Sequence, residues 1–254
     1  MAQDDFEKLN TEKLKAGFKY DCELFYYPTI DSTNTQAKRL LKEGEKPPFL
    51  VVASEQTAGR GRQGKSFYSP KNTGIYLSLV ISEKADEDMV SVTTAASVAV
   101  CRAVEKLTDE KPEIKWVNDV YVNGKKVCGI LCESVLDGQD SASVIIGIGV
   151  NITTSHFPSE IENAGSLCLD VEKEALVAEI TNELFKVCKA PFSDFIPYYR
   201  SRSMVIGKKI TFIENGVSAH ATALEIDEKG GLVVRTDGGK IKTLSTGAIT
   251  VRED

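Results

Sequence analysis

Ile114-Lys115-Trp116-Val117-Asn118-Asp119-Val120-Tyr121-Val122-Asn123-Gly124-Lys125-Lys126-Val127-Cys128-Gly129-Ile130 is the stretch on which the fold turns. Two runs rich in β-branched and aromatic residues flank Asn123-Gly124, and Asn-Gly in that setting predicts a type I′ hairpin. Asp137-Gly138 marks a further turn before a strand at Val144–Ile152, so the strands from about 114 to 152 pair antiparallel. Upstream, the pattern predicts a charged helix over residues 6–16, a strand at Glu23–Tyr27 and a helix that starts at Asp31-Ser32-Thr33-Asn34 and stops at Gly44. An all-apolar, buried strand follows at Phe49–Ala53, then a strand at Ile75–Ile81 and the longest helix at 87–107. Helices at 172–189 and 192–202 close an α+β domain. From Val205 the chain turns to short strands (Lys209–Phe212, Ala219–Ile226, Leu232–Arg235, Lys240–Leu244) broken by Asn215-Gly216, Gly230-Gly231 and Gly238-Gly239, the pattern of a small barrel. The expected domains are therefore 1–204 and 205–254.

Bulk properties exclude several classes. A formal net charge of -6 over 254 residues argues against broad nucleic-acid binding, which needs a basic face. No apolar run reaches membrane-spanning length, and the acidic start Met1-Ala2-Gln3-Asp4-Asp5-Phe6-Glu7 resembles neither a secretory signal nor a transit peptide. A cytoplasmic protein without a membrane partner is expected. The six cysteines (Cys22, Cys101, Cys128, Cys132, Cys168, Cys188) form no CxxC, and with two histidines they argue against zinc. They read as reduced, mostly buried thiols.

Within this acidic chain, Glu55-Gln56-Thr57-Ala58-Gly59-Arg60-Gly61-Arg62-Gln63-Gly64-Lys65 places three glycines and three cations in its last seven positions. Glycines let the backbone approach a ligand, and each arginine offers a planar fork of donors to carboxylate or phosphate. A surface turn with solvated arginines is the plainer reading. The loop is neither a Walker A sequence nor a dinucleotide fingerprint. Trp116 reads as core or as a ligand platform. Asn118 and Asp119 suit a turn, but Asn118 could equally read an adenine edge, and Asp119 could accept a proton or help hold a metal. Gly129, Gly147 and Gly149 lie inside strands, where glycine predicts a bulge or a surface opened for something to approach. Asn151 ends a strand against its β-propensity.

Five elements stand in order: Asp31-Ser32-Thr33-Asn34; Glu55 to Gly64; Lys115 to Asp119; Lys125 to Glu133; and Ile146-Gly147-Ile148-Gly149-Val150-Asn151. Together they resemble the biotin protein ligases, densely over residues 22–152 and more weakly to the end, where Gly230-Gly231-Leu232-Val233 resembles that family's SH3-like C-terminal domain. The resemblance implies an α+β catalytic domain related to class II aminoacyl-tRNA synthetases, with a mixed, largely antiparallel sheet. It implies synthesis of biotinyl-5′-AMP from biotin and ATP with Mg²⁺, and biotin transfer to one lysine of a biotin carboxyl carrier domain.

By the same resemblance, Ser32, Thr33, Asn34 and Gln56 surround biotin's ring and ureido group. Arg60, Gly61 and Arg62 cover its carboxylate and the phosphates, Lys126 reaches carboxylate or α-phosphate, and Gly129 leaves room beside the biotin. Asn118 and Asn151 lie near adenine and phosphates, and Asp119 assists transfer. Arg60, Arg62, Lys126 and Asp119 form the implied catalytic set, and no protein metal ligand is implied. Three positions depart from the family pattern: Val117 replaces proline, Phe67 replaces tryptophan, and Gln63 replaces a basic residue. About twenty residues precede the first strand, too few for the DNA-binding domain of some relatives, so no DNA partner is expected. An exposed strand surface leaves a homodimer open. A lipoate–protein ligase of the same fold, or a non-catalytic sensor of biotin or its adenylate, are the competing readings.

Overall fold

Central strands that are apolar on both faces demand cover on both sides of the sheet. The computed structural model describes residues 9–84, 88–136, 141–167, 171–214, 216–245 and 249–251. Seven strands form the larger sheet: β1 (Glu23–Tyr27), β2 (Phe49–Ala53), β3 (Gly74–Lys84), β4 (Glu113–Lys115), β5 (Asp119–Val122), β6 (Lys125–Leu136) and β7 (Ser141–Asn151), in the order β1-β2-β3-β7-β6-β5-β4. Only β1 and β2 pair in parallel, through a crossover that contains α2 (Thr33–Glu43); every other pair is antiparallel. The fold is thus mixed α+β with a mostly antiparallel sheet. The remaining helices are α1 (Thr11–Ala16), α3 (Met89–Leu107), α4 (Lys173–Cys188) and α5 (Phe192–Arg202).

Alternation along β2 sorts the two faces. Leu50 and Val52 join the large core beneath α3 and α4, whereas Phe49 and Val51 pack with Ala37 and Leu40 of α2, Val80 and Ile145 on the opposite face. The α2 helix starts where expected: the Ser32 hydroxyl accepts from the Thr35 amide, and Gly44 ends the helix at φ 97°. In α3 the small residues Ala95, Ala96, Ser97, Ala99 and Ala103 are all buried, which brings its backbone close to the sheet and to α4. The β5–β6 turn is type I′ as predicted, with Asn123 at φ 51° and Gly124 at φ 72°. The Asp137-Gly138 turn and Cys168 lie outside the described residues.

Two expectations need correction. The run from Ile114 to Val122 is not one strand: residues 116–118 form a turn between β4 and β5. Distant groups hold that turn. The Val117 carbonyl accepts from Ser97 Oγ (3.2 Å) and Tyr199 Oη (3.3 Å), and Trp116 Nε1 donates to the carbonyl of Gly230 (2.9 Å). The glycines of β7 also cause no bulge, since its registers with β3 and β6 run unbroken through Gly147 and Gly149.

The second sheet is wholly antiparallel. Its strands are β8 (Lys209–Glu214), β9 (Val217–Ile226), β10 (Leu232–Thr236), β11 (Ile241–Leu244) and β12 (Ile249–Val251), in the order β11-β10-β9-β8-β12. Its β9–β10 turn leans on α3: a Cβ on Gly230 would lie 2.8 Å from Thr94 Oγ1, and Arg200 donates to the Ile226 carbonyl at 2.7 Å. Trp116→Phe keeps an aromatic ring but orphans the buried Gly230 carbonyl. A loss of about 1–3 kcal/mol in unfolding free energy is expected from that group alone, measured by urea denaturation.

Candidate active site

One transverse row across the sheet organises the site. Register pairs Tyr27 with Ala53, Ala53 with Tyr76, Tyr76 with Gly149, Gly149 with Gly129, Gly129 with Asp119, and Asp119 with Lys115. Directly paired residues share a face, so the two glycines open a gap between Tyr76 and Asp119. A cavity of about 170 Å³ lies over this gap. Its walls are the start of α2, the glycine-arginine loop, the 116–118 turn and Ile249 from β12.

The loop that leaves β2 is folded. Thr57 and Ala58 amides donate to the carbonyls of Ile30 and Asp31, and the Gly61 and Phe67 amides close it on Lys65 and Gly59. Gln63 (φ 55°) and Gly64 (φ 74°) make its tip in the left-handed region. This fold returns Phe67 onto the sheet. A Cβ on Gly149 would lie 2.3 Å from the Phe67 ring, and one on Gly129 2.9 Å from it. The room beside Gly129 is therefore filled by the Phe67 ring. Gly147 serves a second insertion, since its Cβ would sit 2.0 Å from Asn34 Oδ1.

Of the residues singled out from sequence, Ser32, Thr33, Asn34, Gln56, Arg60, Gly61, Arg62, Asn118, Asp119, Lys126 and Gly129 all line this cavity. Asn151 does not. Its Nδ2 donates to Gly165 (3.0 Å) and its carbonyl accepts from Leu167, which braces the segment whose Asn163 carbonyl and Gly165 amide bond the Lys126 backbone. Asn151 Oδ1 is buried and finds no hydrogen-bond partner among the described residues.

The polar end at α2 is knitted together. Thr33 donates its amide (2.8 Å) and hydroxyl (3.1 Å) to Gln56 Oε1, and Gln56 Nε2 donates to Ser69 Oγ (2.9 Å). Asn34 Oδ1 accepts from Ser78 Oγ (2.7 Å), and its Nδ2 donates to the Leu131 carbonyl and to Glu133 Oε2 (2.9 Å). At the other end Lys126 Nζ pairs with Asp119 Oδ1 at 2.7 Å, and Arg62 donates to Asn118 Oδ1 at 3.1 Å. Asn118 Nδ2 in turn holds Asp119 Oδ1 (3.0 Å) and the Ile130 carbonyl.

Glu133 ties the start of α2 to the glycine-arginine loop, and sequence reasoning missed its role. It receives Arg60 (3.0 Å) and Lys38 (2.7 Å) as well as Asn34. Spacing held the signal, because Gly129, Leu131 and Glu133 are alternate residues of one strand and share a face. Gly149 and Lys115, which stood within the quoted motifs, and Phe67, named as a departure from the family pattern, also line the cavity. Ile249 comes from a strand that the sequence did not suggest.

Burial opposes the charge on Glu133, but the hydrogen bonds from Lys38 and Asn34, with the charges of Lys38 and Arg60, outweigh it and hold the carboxyl below its usual range. A depressed carboxylate stabilises the fold above its unfolded pKa, and that contribution disappears as pH falls through the folded value. The wild type should therefore be more stable than Glu133→Gln at pH 7, with the gap closing below about pH 4. Thermal melts between pH 3 and 7 measure this.

Comparison with known proteins places the chain. The sequence profile described as "Biotin/lipoate A/B protein ligase family" matches residues 26–151, and that described as "Biotin protein ligase C terminal domain" matches residues 205–252. A bifunctional ligase/repressor BirA from Bacillus subtilis is 29% identical over 253 residues, covering 94% of this chain and 78% of that protein. A biotin--[acetyl-CoA-carboxylase] ligase from Paracoccus denitrificans is 27% identical, covering 83% of this chain and 93% of the relative. The solved structure of biotin protein ligase from Aquifex aeolicus in complex with biotin and ATP superposes with a TM-score of 0.77 at 27% identity, over 91% of this chain and 99% of that one. With profile matches in both parts of the chain, full-length relatives and a shared fold, this chain belongs to the biotin protein ligase family.

Proposed function

We propose that this chain activates biotin with ATP to biotinyl-5′-AMP and transfers biotin to a lysine of a biotin carboxyl carrier domain. One observation carries the residue roles: Arg60, Arg62, Lys126, Asn118 and Asp119 converge with the start of α2 on a single cavity. The neutral, hydrogen-bonded wall of Ser32, Thr33, Asn34 and Gln56 suits a ureido ring. The cationic wall suits a carboxylate and phosphates.

In the first step a biotin carboxylate oxygen attacks the α-phosphorus of ATP, and the bond to the bridging oxygen breaks as pyrophosphate leaves. The carboxylate is already ionised at neutral pH, so the step calls for alignment of two anions rather than a base. Arg60, Arg62 and Lys126 supply the charge, exchanging Glu133, Asn118 and Asp119 for ligand oxygens. In the second step the acceptor lysine's amine attacks the acyl carbon and AMP leaves, with Asp119 taking the amine's proton. Asp119 is the one carboxylate among the lining residues, and Mg²⁺ characteristically binds through one or two carboxylates plus substrate phosphates, so the donor set fits. Bound there, Mg²⁺ would neutralise charge on the phosphate oxygens. Asn151 acts through the Lys126 backbone by bracing the 163–167 segment.

The cavity's 170 Å³ falls below the ~300 Å³ at which ligand pockets usually begin. The Phe67 ring occupies space over Gly129 and Gly149, and its withdrawal from the glycine floor would enlarge the cavity. The chain divides in this reading at 204/205 into a catalytic unit and a small SH3-like unit. Support comes from the second sheet beginning at Lys209 and the second profile beginning at 205. A reducing, cytoplasmic setting agrees with the free thiols of all five described cysteines.

Mass spectrometry of an apo-carrier domain incubated with this protein, ATP, Mg²⁺ and biotin should show addition of one biotinyl group. Addition of lipoyl from lipoate, with none from biotin, would replace this reading by the lipoate one. Arg62→Ala should lower biotin adenylation by about 10- to 100-fold, and an unchanged rate would remove the loop from the mechanism.

A further inference from the structure

The cavity is electrically lopsided. At the α2 end its lining is neutral, and the neighbouring Glu133 is met by two cations. At the 116–118 turn, Arg62, Lys65, Lys115 and Lys126 face a single carboxylate, Asp119. That carboxylate is taken by Lys126, and Arg62 is bonded to Asn118. Lys115 differs from both. Among the described residues its ammonium has no hydrogen bond and no ion pair, only the face of the Tyr121 ring, 5.8 Å from Nζ to the centroid.

Its place is nonetheless rigid. Lys115 ends β4, directly paired with Asp119, and the preceding Ile114 carbonyl accepts from the Met204 amide at 3.0 Å. Burial, reinforced by the charges of Lys126 and Lys65, pulls its pKa below the usual lysine range against the attraction of Asp119. A half-buried, uncompensated cation in a cavity is costly unless an anion arrives to meet it.

We infer that Lys115 binds the β- and γ-phosphates of the nucleotide and the pyrophosphate that leaves. The inference rests on the adenylation reading. In that reading Arg60 and Arg62 cover the carboxylate and the phosphates from the loop side and Lys126 reaches the carboxylate or α-phosphate, so Lys115 is the lining cation, placed on the sheet itself, that still has no anion to meet. Lys115 lies two strands beyond Gly129, about 10 Å along the transverse row. This is the scale of the separation between a reacting α-phosphate and the end of a triphosphate. As the α-phosphorus gains its bond to the biotin oxygen, the bridging oxygen keeps the electron pair of the broken bond, and the Lys115 ammonium stabilises the new charge on pyrophosphate. Biotinyl-adenylate has neither outer phosphate. Lys115 thus acts in the first half-reaction and its reverse, and not in transfer to the carrier.

That asymmetry is the test. Biotin-dependent exchange of labelled pyrophosphate into ATP reads the first half-reaction, and single-turnover transfer from separately prepared biotinyl-adenylate to an apo-carrier domain reads the second. Lys115→Met should lower exchange about 10- to 100-fold, with higher KM for ATP and pyrophosphate, and leave transfer and the biotin Kd within about twofold. Lys115→Arg should restore most of the exchange. Equal losses in both half-reactions, or no loss in either, would overturn the assignment. Amine-acylation footprinting of the unaltered protein covers the case in which Lys115→Met does not fold: pyrophosphate with biotin should protect Lys115, and absence of protection overturns the inference. A wild type active in exchange but indifferent to Lys115 overturns only this residue's role. A wild type with neither exchange nor transfer overturns the adenylation reading itself.

Discussion

A binding site on the face of a packed sheet needs a place where side chains stop, and the direct pairing of Gly129 with Gly149 makes one. Tyr76 flanks that pair on one side and Asp119 and Lys115 on the other, so a single transverse row sets the glycine floor beside an acid and a cation in order. Every element that reaches the site is placed relative to this row. The α2 helix packs on the same face through Ala37 and Leu40, which fixes its first turn and lowers Asn34 into the space Gly147 leaves. The loop from β2 folds back over the floor and sets Phe67 against both glycines. A methyl group at position 149 could not coexist with that ring without displacing it.

Within the cavity the loop arginines and Lys126 are met by acids and amides of the protein itself. Arg60 rests on Glu133 and Lys126 on Asp119, both near 3 Å, and Arg62 on the Asn118 amide. In such half-buried pairs the cost of desolvating the charges offsets part of their attraction. Their consequence is for binding. A ligand anion does not meet bare cations; it exchanges one partner for another. The affinity gained is then the difference between two charge-assisted contacts, which favours a ligand that offers several oxygens in the right geometry over any single anion.

Local signals carried much of the fold. Asn123-Gly124 forces the β5–β6 hairpin, Ser32 and Gly44 bound α2, and the apolar run at 49–53 becomes a strand buried on both faces. Those features depend on a few neighbouring residues, so they are visible in one sequence. The break between β4 and β5 is not, because it is imposed by Ser97, Tyr199 and Gly230, between 20 and 114 positions away from the turn residues they bond. At the site, residue types announced the arginines, Lys126 and the strand glycines. They did not announce what the glycines accommodate, since Phe67 and Asn34 arrive from other segments. Asn151 was conspicuous for its polarity, but its side chain braces the Lys126 segment from outside the cavity lining. A polar residue at the end of a strand can serve a site by holding its backbone.

Glu133 ties the first turn of α2 to the loop that leaves β2. Its carboxylate takes a hydrogen bond from Asn34, at the neutral end, and an ion pair from Arg60, on the loop, through the same oxygen, Oε2. Lys38 holds the other oxygen from outside the cavity. Whatever competes for the Asn34 amide changes the demand on Oε2, and whatever draws Arg60 away leaves Glu133 with Lys38 and Asn34 alone. Occupancy of the polar end and the position of the loop arginine therefore share one acceptor atom. Gly147, Leu131 and Glu133 all belong to the β6–β7 ladder, so the acceptor atom that Asn34 and Arg60 share is held at a fixed register of the sheet.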